Sequence, residues 1–469
     1  MLTATVLAAS LAIVTLDQVA LRAAPRDSSP QQTVLWQGDS LEIRGEKGDF
    51  LQIWDHRRER GGYVRASSVR RYKLDKESAA RMLAVMGFLQ DTAGSEALGI
   101  AHTAAFLKAA PNEAIGPEAF DSLGTMADRL ARRASSNRGQ ANDAITAAHL
   151  EVVASYGVLM NSFERDGRIQ ICYEGDAFRR VLALPQSTPL QRARAALALT
   201  RNECVNPDLT PTARSALDIW RMEVLQRVET SKLPEHIKNR ILMRRTGVFA
   251  SIAFEQARQG NNSQEAAERA IESLASINKA ELTEDDRQAY SDAATRAGAI
   301  RWAAQSAPAL GGGFSIQTRK GQPGETCVSL TDGKSKTPLV ERCTWGIIWP
   351  ASASLNPQRN MLALAVQPLD GWRELWLFRQ EARGWRIDVV PPSSNGPDIG
   401  YLELAGWVPG GKQILAAREV RIDGRYKRSF ELLNLENLQV ERWADKPESL
   451  SAFYRWQDPL WKKLTMSLR

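Results

Sequence analysis

A chain of 469 residues with 43% hydrophobic and 25% charged residues has the composition of a folded protein. Its length suits two to four domains, since single cores rarely grow past ~250 residues. The formal charge of +7 is too small at this length to indicate a nucleic-acid binder, whose basic residues gather on one domain or face.

The first feature in the chain is an uncharged, mostly apolar run from Leu2 to Leu16. It falls short of the ~20 residues that span a bilayer, but it suits the apolar stretch of a signal peptide. Residues 1–16 are therefore expected to be a leader, and the protein to be periplasmic or otherwise exported. No Lys or Arg precedes the run and no A-x-A site closes it. The alternative is a buried first strand or helix.

From Asp17 to Tyr72 short alternating segments are separated by turns: Val19 to Pro25, then Trp36-Gln37-Gly38-Asp39 and Ser40-Leu41-Glu42-Ile43. Phe50 to Trp54 and Gly61-Gly62-Tyr63-Val64 follow. Period-two alternation with Gly-rich breaks predicts a small antiparallel barrel over 17–72. Leu21, Arg22 and Pro25, then Gly38, Leu41, Ile43, Ile53, Gly62, Tyr63 and Val64 occur in the order and spacing of bacterial SH3-like (SH3b) domains, which this segment resembles. The resemblance implies a five- or six-stranded barrel of the kind found on exported proteins that contact cell wall or envelope partners. The loop Asp55 to Arg60 is longer and more basic than that pattern.

That loop opens a basic strip. Between Arg57 and Lys73 seven cationic side chains face one carboxylate, Glu59. Beside aromatic residues such a strip suits an anionic glycan, phospholipid headgroups or an acidic protein face. Trp54, Arg57, Arg58, Arg60, Tyr63 and Arg65 are the candidate binding residues. A solvated loop is the plainer alternative.

Residues 76–307 read as helical. Met82, Val85, Met86 and Leu89 share one helical face, as do Leu217, Trp220, Val224, Leu225 and Val228. Prolines and Gly260-Asn261-Asn262-Ser263 break the stretch into about nine helices arranged as hairpins. The part from Val248 to Ala304 resembles a tetratricopeptide-type pair, without that family's full signature.

Ala307 to Gly313 forms a linker, after which strand-like alternation begins. Nine of the thirteen tryptophans lie between Trp345 and Trp461, which makes 313–469 a Trp-rich antiparallel β domain. Leu355 to Ala363 is echoed 52 residues later by Trp407 to Leu415, and each copy precedes an Asp-Gly turn. The echo resembles the repeat of TolB-type β-propeller blades. At about three blades the segment is too short for a closed ring of ~4 to 8, so incomplete propeller-like repeats are expected. Trp345, Trp349, Trp372 and Trp376 are read as core in preference to a stacking platform.

The four cysteines fall into two local pairs, Cys172 with Cys204 and Cys327 with Cys343. Such pairs fit disulfides in an oxidising compartment, with buried free thiols as the alternative. There is no C-x-x-C, and His56, His102, His149 and His236 stand at no metal-ligand spacing. Gly406 to Lys412 matches G-x-x-x-x-G-K, but Gln413 follows where Ser or Thr is needed, so a hairpin turn explains it. With no G-x-S-x-G elbow either, the sequence identifies no catalytic residue, metal site or cofactor.

The expectation is thus a multidomain α+β protein: SH3-like barrel, helical hairpins, then a propeller-like β domain. Its function reads as non-catalytic envelope binding or scaffolding, with peptidoglycan, an envelope protein or an anionic envelope surface as partner, and no nucleic acid. The alternative is a cell-wall or glycan hydrolase with carboxylate catalysis in the C-terminal domain.

Overall fold

The computed structural model describes residues 10–136, 140–165, 167–394 and 396–463. It is a mixed helix-and-sheet protein that divides into two compact units, Met1–Leu209 and Thr210–Arg469. The division falls inside the helical stretch. Residues 72–76 and 307–313 therefore mark changes of element type rather than the limits of compact units.

The N-terminal unit opens with β1 (Ser10–Val14), β2 (Val19–Arg22), β3 (Gln31–Leu35), β4 (Ser40–Lys47), β5 (Phe50–Asp55), β6 (Arg60–Arg65) and β7 (Val69–Tyr72). They form one antiparallel sheet in the order β3-β2-β6-β5-β4-β1-β7, and the ladder does not close into a barrel.

Of the segment 1–16 expected as a leader, the structure describes residues 10–16. Ser10–Val14 is an inner strand, with Ala12 opposite Leu41 on one side and Arg71 on the other. Residues 1–9 lie outside the described residues. Ala12 and Val14 join Leu21, Leu35, Leu41, Leu51, Ile53 and Val64 in the core of the sheet. Ile13 points the other way, into the helical core with Met82, Met86, Ile100 and Phe106. A strand buried on both faces has an unbroken apolar sequence, which is also how a leader reads.

Among the described residues, this unit continues with α1 (Lys76–Gln90), α2 (Glu96–Ala109), α3 (Pro117–Ser136), α4 (Gln140–Ala154), α5 (Asp176–Ala183) and α6 (Pro189–Leu199). The middle region is not purely helical. The hairpin β8 (Met160–Arg165) and β9 (Arg168–Tyr173) separates α4 from α5. The dipeptide at 166–167 is Asp-Gly, a strong two-residue hairpin signal. Cys172 in β9 is disulfide-bonded to Cys204, which encloses α5 and α6.

The C-terminal unit begins with α7 (Pro211–Gln226), α8 (Glu235–Arg258), α9 (Gln264–Ala275) and α10 (Glu284–Ile300). Glu284, Asp285 and Asp286 occupy the first turn of α10, where carboxylates complement the helix dipole. Three strands, β10 (Ser315–Lys320), β11 (Thr326–Thr331) and β12 (Val340–Thr344), form a small sheet. Cys327 and Cys343 are directly opposed on β11 and β12 and bonded. The bridge ties the second hairpin of that sheet.

Two meanders of four strands complete the unit. One is β13 (Ile347–Leu355), β14 (Met361–Leu369), β15 (Trp372–Glu381) and β16 (Gly384–Val390). The other is β17 (Gly400–Trp407), β18 (Gln413–Ile422), β19 (Arg425–Asn434) and β20 (Val440–Ala444). They meet where β15 and β17 run parallel, at Trp372–Gly400 and Arg373–Tyr401. The 52-residue echo falls on the first turn of each meander, between β13 and β14 and between β17 and β18. The segment Gly406 to Lys412 is accordingly a hairpin connection. Trp349, Trp372 and Trp376 are core, whereas Trp345 is exposed. A short helix, α11 (Ser451–Trp456), and a terminal turn at Pro459–Trp461 follow. Among the described residues no helix is long and apolar enough to cross a membrane.

Candidate binding face and interior cleft

Strand alternation sorts the candidate residues of the N-terminal sheet. On β5, Leu51, Ile53 and Asp55 are buried inward, so Phe50, Gln52 and Trp54 lie on the other face. Register places Trp54 against Gly61, Gln52 against Tyr63 and Phe50 against Arg65, and Tyr63 in turn against Arg22. Trp54, Tyr63 and Arg65 therefore share the outward face. A Cβ at Gly61 would lie 3.2 Å from the Trp54 ring, so glycine lets the indole lie across the neighbouring strand. The Arg44 guanidinium stands 4.5 Å from the ring centroid. An aromatic side chain held this way has little conformational freedom left to lose.

The loop arginines turn elsewhere. Arg57 pairs with Asp39 at 2.9 Å, and Arg58 bridges Asp39 at 3.0 Å and Asp55 at 2.6 Å. Both carboxylates are almost fully buried, so these pairs fold the long loop back on the sheet. Arg60 donates to the Gln32 carbonyl at 2.9 Å. Arg65 is paired with Asp27, and Arg71 with Glu46. Four arginines of the strip that looks basic in sequence are thus matched by carboxylates elsewhere in the sheet and its turns. Of the six candidates, Trp54 and Tyr63 lie on the outward face without an ion pair, while Arg57 and Arg58 hold the loop.

The histidines do not assemble. His149, buried in α4, lies 2.7 Å from Asp17 and accepts at Nδ1 from Arg133 at 2.9 Å. His102 is buried in α2, where desolvation, reinforced by Arg70, lowers its pKa to about 4. His56 is exposed and contacts Glu42, and His236 is exposed at the start of α8. Glu325 lies beside Cys327 and Cys343, but both sulfurs belong to a disulfide, so this cluster offers a cation one carboxylate and no thiolate.

The C-terminal unit holds a cleft of about 350 Å³ that the sequence did not reveal. One wall is the stretch Ala351 to Ser354 with Ala363 and Ala365; the other carries Leu375, Leu402 and Leu404. Pro350 interrupts β13, and the register with β14 shifts between Trp349 and Ser354. Alanines on adjacent strands leave the hollow that larger side chains would fill. Arg301, Trp302, Glu403 and Trp461 are among the polar and aromatic residues that also line it.

Glu403 accepts from Arg301 at 2.7 Å, from Arg373, and from the Trp461 indole at 2.8 Å. Burial alone would raise its pKa, but the two guanidinium groups and the indole hold it at about 2. A carboxyl that stays ionised has no proton to give, so Glu403 does not suit the general-acid role of a glycosidase. The other carboxylate in the lining, Asp458, is exposed and caps the terminal turn through the amides of Leu460 and Trp461.

No family model, curated protein or solved structure matches this chain.

Proposed function

We propose that the chain is an exported, non-catalytic envelope-binding protein, whose N-terminal sheet acts as an SH3-like module with the outward face of β5 and β6 as its contact surface. The observation that carries the reading is Trp54, set over Gly61 beside Arg44 on the face opposite the packed core. Two disulfides support an oxidising compartment. The C-terminal meanders are read as two propeller-like blades serving as a scaffold. Cell wall is the first partner to test, because a fixed indole with neighbouring polar groups suits the apolar faces of sugar rings.

The test is co-sedimentation of the purified full chain with isolated peptidoglycan sacculi, beside Trp54→Ala and Tyr63→Ala, at low and high salt. Since the arginines are internally paired, binding should depend on Trp54 and Tyr63 and change little with salt. Binding abolished by salt but indifferent to Trp54→Ala would refute this contact surface. No binding at either salt would exclude the wall as partner.

A further inference from the structure

We propose that a second, open hollow of the C-terminal unit binds one uncharged pyranose ring of a glycan, stacked on Trp345. The hollow measures about 200 Å³ and lies where the end of α8, the β10–β11 turn and the β12–β13 turn come together. At ~30 Å³ per water it has room for about seven waters, the space of one hexose ring. Trp345 lines it at 60% exposure, whereas Trp349, Trp372 and Trp376 are core. The backbone beside the indole is fixed. The Gly346 amide donates to Thr344 Oγ1 at 3.0 Å, and a Cβ at Gly346 would come within 3.0 Å of Pro368. Gly324 passes the indole edge in the left-handed region, where a Cβ would lie 3.8 Å from Trp345 Cδ1. Among the described residues no ring or cation stacks on this indole. An exposed aromatic face on a rigid turn binds with little ordering left to do.

The polar groups of the hollow are within reach of solvent. Arg258 and Thr318 are exposed and Thr326 is half-buried, and all three line the hollow. None of these side chains has a hydrogen-bond or ion-pair partner among the described residues. Two hydroxyls that both donate and accept, with a guanidinium that only donates, complement a ring that carries hydroxyls around its edge. Charge does not select an anion, because Glu255, one turn earlier on α8, opposes Arg258. A ring without hydroxyls would cover the indole and leave the polar groups cut off from water. A pyranose satisfies both, with its C–H face on the indole and its hydroxyls at the edge.

The probes are the methyl pyranosides of glucose, galactose, mannose and N-acetylglucosamine, with methoxycyclohexane as the ring without hydroxyls. Saturation-transfer NMR titration of the full chain should give saturable binding of at least one glycoside, about tenfold or more tighter than methoxycyclohexane. Trp345→Ala should weaken that glycoside about tenfold, and Trp345→Phe should keep most of its affinity. Thr318→Val combined with Thr326→Val should weaken it about fivefold and leave methoxycyclohexane unaffected. A thermal melt checks that each variant folds. Equal affinity for methoxycyclohexane would overturn the proposal without any variant. So would unchanged glycoside binding in Trp345→Ala, or no saturable binding of any of the four. Trp54→Ala keeps this site apart from the wall contact proposed for the other unit. Glycoside binding lost in Trp54→Ala and retained in Trp345→Ala would place the sugar on the N-terminal sheet and overturn this site alone.

Discussion

Glu403 in the C-terminal unit and Asp121 in the N-terminal unit are equally buried, each at 4% exposure, yet their acidities move in opposite directions. Desolvation acts on both. At Glu403 two guanidinium groups and an indole outweigh it and hold the carboxyl at about 2. At Asp121 desolvation wins and raises the pKa to about 6, because Arg194 stands 3.7 Å away on a half-exposed side chain and Glu118 adds repulsion. One Asp121 oxygen has no partner. Burial sets the size of the penalty, and the number of donors that reach the carboxylate decides whether it is repaid.

The largest effect should come from breaking the better-served site. Arg373→Met leaves Glu403 with one guanidinium partner and is expected to destabilise the C-terminal unit by ~3 to 5 kcal/mol, measured by urea unfolding. A loss under 1 kcal/mol would mean that Arg301 and Trp461 suffice. Next is the covalent support of the poorer site. Arg194 lies on α6, inside the loop closed by Cys172 and Cys204. Replacing both cysteines by serine should cost ~3 to 4 kcal/mol by the loop-closure estimate and move Asp121 further upward, as NMR titration would show.

Asp121→Asn sharpens the comparison with a gain in place of a loss. The folded pKa of Asp121 lies above the unfolded value, so its contribution is present below about 3.8 and is lost as pH rises through about 6. The substitution should therefore stabilise by ~2 kcal/mol at pH 7 and change nothing near pH 3. His102 supplies the smallest and opposite slope. Its folded pKa of about 4 lies below the usual 6.5, so the unfolded chain takes up the proton first and stability falls as pH drops below 6.5. Between pH 6.5 and 5.5 that loss should be ~1 kcal/mol. Thermal melts across this interval should show it in the native chain and not in His102→Gln.

How much of this was legible varies with the range of the interaction. The strands after Asp17, the helical faces of α1 and α7 and the turns between the C-terminal strands follow from local periodicity and turn residues. The two disulfides, each within a short stretch, follow from pairing by proximity. The hairpin at 160–173 was also legible, through Asp-Gly at 166–167, but it is hidden in a long helical stretch. The segment 1–16 shows where hydrophobicity alone is ambiguous. Ser10–Val14 is apolar on both faces because it packs against the sheet core and the helical core at once, and hydrophobicity alone does not distinguish that from a leader.

The functional groups depended most on the tertiary structure. Strand alternation, a local property, sets Trp54 on the face of Phe50 and Gln52, but that Tyr63 shares this face depends on the register of β5 with β6. That Arg57 and Arg58 are held by Asp39 could not be read this way, because the partner lies in the turn between β3 and β4 and Coulomb attraction is set by distance in space. The cleft shows the same limit: Arg301, Arg373, Glu403 and Trp461 span 161 positions of sequence, yet one hydrogen-bonded cluster contains them all. The sequence by itself determined the kinds of elements and their order, because backbone preference and periodicity act over a few residues. Which charges are matched, which donors remain unused and where a hollow forms were decided only by the tertiary structure, because each depends on contacts between residues that the chain keeps far apart.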